Sequence, residues 1–467
     1  MNNQVVSDLR KIVGEDWVIT ELDQKLSYLY DELEVISRPQ ADENSIVVKP
    51  KNTLEVSEIM KYVWSSNLVV VVRGGGTGLC GGAIPTEDSI IISLERLKSI
   101  YEIDKKNMLA VLGAGVTLFE LLEELDKHDG IGFPVHPGDE GAQIGGMAAT
   151  NAGGARAVRH GIMRNHIKGI EVVLPDGEVL ELGGKLVKDN SGYSLMHLII
   201  GSEGTLAIIT KVILKIYPED HYTASIAASF NTIRQASDAV LDMLQSGVTP
   251  LAVEYQDKML NIESARSLGL KWPLHEGLAD LYIVLSEKTE DTLYKTCQQI
   301  LDIFEENGSL ESVFAGKKQE QHDLLAIRSG SYEIIKDIIS YSFDMVVPPS
   351  TIPVFFEKLV SLAEKYDTST NITAHIADGN VHNDILLVDG AIAPYAEELK
   401  NKMYALCLSL GGSISGEHGI GKLRMDDLLI QKKPREIQLM QEIKQVFDPK
   451  FLLNPDTIIK RLTRSRE

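Results

Sequence analysis

The sequence predicts an α+β protein of more than one domain, and three observations carry that expectation. Short β-rich runs crowd a glycine-dense first half, strands alternate with amphipathic helices after about residue 219, and glycines return from about Gly411. The length, 467 residues, exceeds the ~250–300 at which a single core stops growing. With 44% hydrophobic and 24% charged residues the composition is that of a globular protein.

Residues 1–35 carry helical spacing of Val, Leu, Ile and Tyr, and strand-like runs follow at 45–49, 68–73, 89–94 and 107–115. Residues 167–182 read as a hairpin turning at Pro175, Asp176 and Gly177, and a long strand closes the region at Pro218. A first domain over 1–218 is therefore expected. Residues 219–410 alternate strands (223–230, 251–256, 281–287) with amphipathic helices (231–246, 263–269, 291–308), a sheet domain with helices over one face. Residues 411–467 are expected to fold back against the first domain.

A formal charge of −21 opposes binding to phosphate backbones and anionic lipid, which requires clustered Lys and Arg. Nucleic acid is excluded as a partner, and an anionic substrate needs a small, local cationic site. Three widely spaced cysteines, Cys80, Cys297 and Cys407, suggest neither a disulfide framework nor a CxxC metal site and fit a reducing cytoplasm. No cationic-then-apolar leader and no long apolar run is present, so neither a secretory signal nor a membrane span is expected.

The densest chemistry lies between Gly74 and Gly161, which hold 17 of the 38 glycines. Arg73, Gly74, Gly75, Gly76, Thr77, Gly78 and Leu79 follow a strand, and Gly76, Gly78 and Gly81 satisfy GxGxxG. A nicotinamide-type turn feeds a helix, yet here Ala83–Asp88 leads into another strand and no helix opens. The alternatives are a backbone nest for a pyrophosphate and a plain glycine-rich turn.

A second cluster runs from Pro137, Gly138 and Gly141 through Ile144, Gly145, Gly146, Asn151 and Gly153 to Gly161. With residues 189–193 (DNSGY), 201–205 (GSEGT) and Asn454 near the end, these segments resemble the FAD-binding domain of vanillyl-alcohol-oxidase-type flavoproteins. The likeness covers about residues 40–460. Within that superfamily the chain resembles the branch holding D-lactate dehydrogenases, the glycolate oxidase catalytic subunit and D-2-hydroxyglutarate dehydrogenase. The resemblance implies a two-subdomain FAD-binding domain, a substrate (cap) domain and a C-terminal segment completing the site. It implies that Arg73–Leu79 holds the pyrophosphate and that the 137–161 cluster wraps adenosine and flavin, with Glu203, Gly204, Ile208 and Asn454 also lining the cofactor. Some relatives attach the flavin through His or Cys. The 73–82 loop has no His, and Cys80 reads as a packed small residue, so noncovalent FAD is expected.

Residues 371–382 have strand-like flanks around Asp378-Gly379, a strong hairpin signal. A two-residue turn there sets His375 opposite His382 on one face, near enough for both to bind one ion. In Ser415-Gly416-Glu417-His418-Gly419, the flanking glycines let adjacent polar side chains reach one site. His2Glu with open positions suits Fe, Zn or Mn. The resemblance assigns His375, His382 and Glu417 as metal ligands and His418 as the base that takes the substrate hydroxyl proton. It assigns Arg328 as the carboxylate-binding arginine, which without it would read as a surface-helix residue; Tyr332 lies one turn further on the same face.

The expectation is an FAD- and metal-dependent D-2-hydroxy acid dehydrogenase. Ser342 and Phe343 stand where the hydroxyglutarate branch carries a further cation, so a monocarboxylate such as D-lactate is favoured. The electron acceptor is expected to be soluble, with electron-transferring flavoprotein first, since no basic amphipathic helix suggests a quinone-bearing membrane. The alternatives are a glycolate dehydrogenase or oxidase subunit and a flavin electron-transfer subunit without its own substrate.

Overall fold

The computed structural model describes residues 3–461, and the chain divides into two compact units that are not contiguous in sequence. One unit comprises residues 1–152, 162–217 and 417–467, and the other 153–161 and 218–416.

The first unit holds a four-stranded and a five-stranded sheet. In the smaller, Ile46–Val48, Ile90–Ser93 and Val70–Arg73 run parallel, and Val18–Ile19 adds antiparallel to Ile46–Val48. Parallel neighbours need a crossover, supplied in part by helix Thr53–Ser66, whose first turn is capped by Asn52 accepting from the Glu55 N–H at 2.9 Å. The larger sheet is antiparallel, in the order Ile100–Asp104, Leu109–Gly113, Ile208–Lys215, Ile167–Val173, Val179–Gly183. Helix Leu118–Asp126 begins with a reciprocal Thr117/Glu120 capping box. Helix Ile144–Thr150 lies so close to the chain leaving strand Leu109–Gly113 that a Cβ at Gly145 would come within 2.5 Å of Ala114 Cβ.

Strand Val70–Arg73 is the edge of the smaller sheet, and the returning tail covers it. The Val70 N–H donates to Leu452 O, the Asn454 N–H donates to Val70 O, and the Val72 N–H donates to Asn454 Oδ1, each at 2.8 Å. Leu452 and Leu453 are buried in the same apolar cluster as Val70 and Ile90. The strand that launches the glycine loop is therefore satisfied on both sides, as an exposed edge is not.

The second unit is an eight-stranded antiparallel sheet. Its main path runs Ser309–Ala315, Tyr222–Phe230, Ala279–Glu287, Ala252–Asp257, Ile372–His375, Asn380–Leu386, Ile339–Ser342, and Met345–Val346 also pairs with Asn380–Leu386. Helices cover both faces of this sheet, not one as the sequence suggested. On one face Ala227 and Tyr282 pack with Ala265, Leu324 and Ile327; on the other Phe230 meets Phe304 edge to face at 5.6 Å. The strand explains the difference, because seven consecutive residues, Ala224 to Phe230, are buried, and Ala and Ser on both faces admit close helices without a polar-out alternation.

Replacing Asn454 with Ala removes the acceptor for Val72 N–H and a donor to Glu203 O at 2.7 Å. The first unit should lose about 2–4 kcal/mol in denaturant titration. A loss below about 0.5 kcal/mol would show that this join contributes little.

Candidate functional site

In the first unit the glycine loop is built for a ligand that supplies acceptors. Gly76 takes φ +79°, open to glycine at little cost. Among the described residues none accepts a hydrogen bond from the N–H groups of residues 74–79. A row of such donors fits an anionic pyrophosphate. The second glycine segment lies against this loop: a Cβ at Gly75 would come within 2.7 Å of Gly141 O, and one at Gly74 within 3.6 Å of Gly146 Cα. Beside them the Gln143 Oε1 is buried and unpartnered, an amide terminus that a bound group would complete. These features fit a dinucleotide cofactor.

Other residues expected at the cofactor serve the loop from behind. The Arg73 guanidinium donates to the Tyr30 and Ser27 carbonyls at 2.8 Å and stands over the Tyr28 ring. Asn151 ends helix Ile144–Thr150 in the left-handed region and accepts from the Arg164 N–H. Ile208 is fully buried. Gly153 and Gly161 bound the short segment grouped with the second unit, where Arg159 donates to the Thr249 and Ser286 carbonyls. Pro137 and Gly138 lie at the surface of the first unit.

Glu203 does something the sequence did not announce. Its carboxylate accepts from the Ile420 N–H at 2.9 Å and the Gly421 N–H at 2.8 Å. Burial pushes its pKa up, with those two amides opposing. Cys80 Sγ donates toward the His418 and Gly419 carbonyls at 3.3 and 3.4 Å and accepts from Arg424 Nη1 at 2.9 Å. The backbone from His418 onward is thus held by Glu203, Cys80 and Arg424, all in the first unit.

In the second unit His375 and His382 meet, but not in the register expected. His375 pairs with Asn380 and His382 with Thr373, so residues 376–379 form a four-residue turn instead of the two-residue Asp378-Gly379 turn. The Asp378 and Gly379 N–H groups both donate to His375 O at 3.2 Å. Gly379 sits at φ +88°, where a Cβ would strike the Val347 carbonyl. The two histidines become diagonal neighbours on one face, with ring centroids 5.4 Å apart and planes at 87°, still within reach of one ion.

Two buried carboxylates, absent from the sequence expectations, stand beside them. Glu254, 4% exposed, accepts from His375 Nδ1 on Oε1 and pairs with Arg328 Nη2 through Oε2, each at 2.6 Å. Its pKa is lowered overall; burial raises it, and the His375 and Arg328 charges outweigh that. Asp344 lies 3.9 Å from His382 Nδ1 and accepts from Asn380 Nδ2, the Ser415 hydroxyl and the Gly416 N–H. Asp344 thereby anchors the peptide from which the chain continues to Glu417 and His418. Tyr332, on the same helix Lys318–Ile335 as Arg328, packs beside Leu260, Ile335 and Ile339. Phe343 is enclosed between the Tyr341 and Tyr404 rings. Glu254 had one available signal, a charge at an inward position of the apolar run 251–255; Asp344 had none.

Residues 45–183 match the FAD binding domain family, and residues 219–458 match the family of FAD linked oxidases, C-terminal domain. The chain is 39% identical to a D-lactate dehydrogenase of Archaeoglobus fulgidus over 93% of this chain and 96% of that protein. It is 30% identical to the glycolate oxidase subunit GlcD of Bacillus subtilis over 95% and 94%. The solved structure of p-cresol methylhydroxylase with substrate bound has the same fold, with TM-score 0.78 at 18% identity over 98% of this chain and 97% of that one. These family matches and relatives define an FAD-linked oxidoreductase. The chain belongs to the FAD-linked oxidase family, in the branch with D-lactate dehydrogenases, GlcD and D-2-hydroxyglutarate dehydrogenase.

Because the Gly75 position faces the Gly141 carbonyl, Gly75→Ala should push the two glycine segments apart. FAD affinity should fall about tenfold or more, equivalent to ~1.4 kcal/mol, when flavin is titrated back into deflavinated protein. Affinity equal to that of wild type would show that this approach is not part of the cofactor cradle.

Proposed function

We propose that the protein is an FAD- and metal-dependent D-2-hydroxy acid dehydrogenase with D-lactate as its favoured substrate. The observation that carries the reading is that one buried carboxylate, Glu254, joins an arginine to a pair of histidines on the same sheet. A cation for a carboxylate and two imidazoles for a metal are what a 2-hydroxy acid needs at adjacent oxygens. The relatives' names support the substrate class.

In this reading His375, His382 and Glu417 hold one divalent ion, Fe, Zn or Mn, and Arg328 binds the substrate carboxylate, with Tyr332 beside it. The bound metal supplies Lewis acidity at the substrate oxygens, and the noncovalent FAD supplies the two-electron acceptor. His418 accepts the hydroxyl proton as neutral imidazole, and the buried contacts to its carbonyl and to residues 419–421 hold its backbone still. Phe343 is buried among aromatic rings and Ser342 is uncharged, so neither provides a cation for a second carboxylate. That favours D-lactate over D-2-hydroxyglutarate.

The electrons go on to a soluble acceptor such as electron-transferring flavoprotein, in the cytoplasm. No helix among the described residues is long and apolar enough to cross a membrane, and Cys80, Cys297 and Cys407 form no disulfide among the described residues.

The first test is anaerobic flavin bleaching by D-lactate, L-lactate, glycolate and D-2-hydroxyglutarate in metal-replete protein. D-lactate should bleach fastest and a chelator should abolish it; fastest bleaching by glycolate would move the assignment to a glycolate dehydrogenase. His418→Ala should keep its flavin while the reduction rate falls roughly 10²–10⁴-fold. Unchanged reduction would remove His418 from the proton step.

A further inference from the structure

Glu254 lies mid-strand in Ala252–Asp257, between Ala279–Glu287 and Ile372–His375. A carboxylate that is 4% exposed costs several kcal/mol to desolvate unless its oxygens are matched. Here each oxygen has one partner, and the two partners belong to different halves of the proposed chemistry. The contact to His375 is fixed by the backbone, because Glu254 and His375 are directly paired across the ladder. The contact to Arg328 comes from helix Lys318–Ile335.

An ionised carboxylate only accepts hydrogen bonds. Its position 2.6 Å from His375 Nδ1 therefore puts a ring proton on Nδ1, so that the neutral ring carries its lone pair on Nε2. The same carboxylate occupies one end of the Arg328 guanidinium, at Nη2, while the Arg328 Nε is buried without a partner.

We propose that Glu254 is a positioning residue shared by both subsites: it fixes the His375 tautomer that offers Nε2 to the metal and aims Arg328 at the substrate carboxylate. This rests on the reading of His375 as a metal ligand and of Arg328 as the carboxylate anchor. Carboxylate partners of ligating histidines orient the ring and raise its basicity, and their loss typically weakens metal binding 10–100-fold. At Glu254 the effect has a second arm, because a glutamine there presents an amide N–H₂ to one partner while it accepts from the other. It cannot satisfy His375 and Arg328 together.

The test compares wild type, Glu254→Gln, Arg328→Met and the double variant, each purified with FAD bound. Zinc affinity is measured by equilibrium dialysis and KM for D-lactate by flavin reduction. Glu254→Gln should weaken zinc binding 10–100-fold and raise KM, with flavin content unchanged. In the Arg328→Met background the same change should still weaken zinc binding but no longer raise KM. A purely structural role would move both in either background.

Zinc affinity of Glu254→Gln within about threefold of wild type would overturn this inference while leaving the metal reading standing. A wild-type protein that binds no zinc, iron or manganese would overturn the metal reading and this inference with it. Should Glu254→Gln not fold, nitrogen-15 NMR of zinc-loaded wild type decides. A proton bonded to His375 Nδ1, assigned by its loss in His375→Gln, is the expected result; its absence overturns the assignment.

Discussion

The closure of strand Val70–Arg73 by the C-terminal tail is the constraint on which the first unit depends. That strand delivers the chain into a loop of glycines whose amides donate to no acceptor among the described residues, so the loop cannot stabilise itself by internal hydrogen bonds. Rigidity has to come from behind. It comes from Asn454, which accepts from Val72 and donates to the Glu203 carbonyl, and from Lys444, whose buried ammonium reaches Thr205 O, Leu453 O and Asp448. Burial lowers the Lys444 pKa, and Asp448 opposes the shift. Three stretches hundreds of residues apart are thereby locked into one polar knot beneath the loop. Asp448 Oδ2 accepts from both Lys444 and the Leu453 N–H, while its Oδ1 is buried without a partner.

The same economy explains why residues 417–421 belong with the first unit while Ser415 and Gly416 belong with the second. Glu203 takes the Ile420 and Gly421 amides, and Asp344 takes the Ser415 hydroxyl and the Gly416 amide. Each carboxylate thus holds backbone of its own unit. Short glycine-flanked segments are soft on their own. Glu203 removes that softness within the first unit by holding the Ile420 and Gly421 amides.

Much of this was legible in the sequence. Glycine clusters without a following helix excluded a nicotinamide turn, and the structure accordingly places the strand Ile90–Ser93 after the loop. The Asp-Gly turn announced a hairpin, but its length was misread, because the clash that Gly379 avoids with the Val347 carbonyl is a long-range fact invisible in a local motif. The histidines nevertheless share a face, since a slip by an even number of residues preserves the side of the sheet. Helices on both faces of the second sheet were missed for a related reason: small residues at Ala224, Ser225, Ala227 and Ala228 obscure the alternation that distinguishes a two-sided strand from a one-sided one.

What the sequence concealed most completely are the buried carboxylates Glu254 and Asp344, which hold side chains and backbone of the candidate site. His375 could be proposed from its place beside an Asp-Gly turn, and Arg328 only from the family resemblance. Glu254 precedes His375 by more than a hundred residues, and only the antiparallel pairing of their strands makes them neighbours. Asp344 is likewise meaningless until Asn380, Ser415 and Gly416 converge on it. Such groups sit where a charge is expensive, and each is retained in a position where its lone pairs are matched. A buried acid in an otherwise apolar strand therefore calls for a specific cationic or N–H partner. In this fold that partner is a histidine, an arginine or the peptide that leads to the next functional residue.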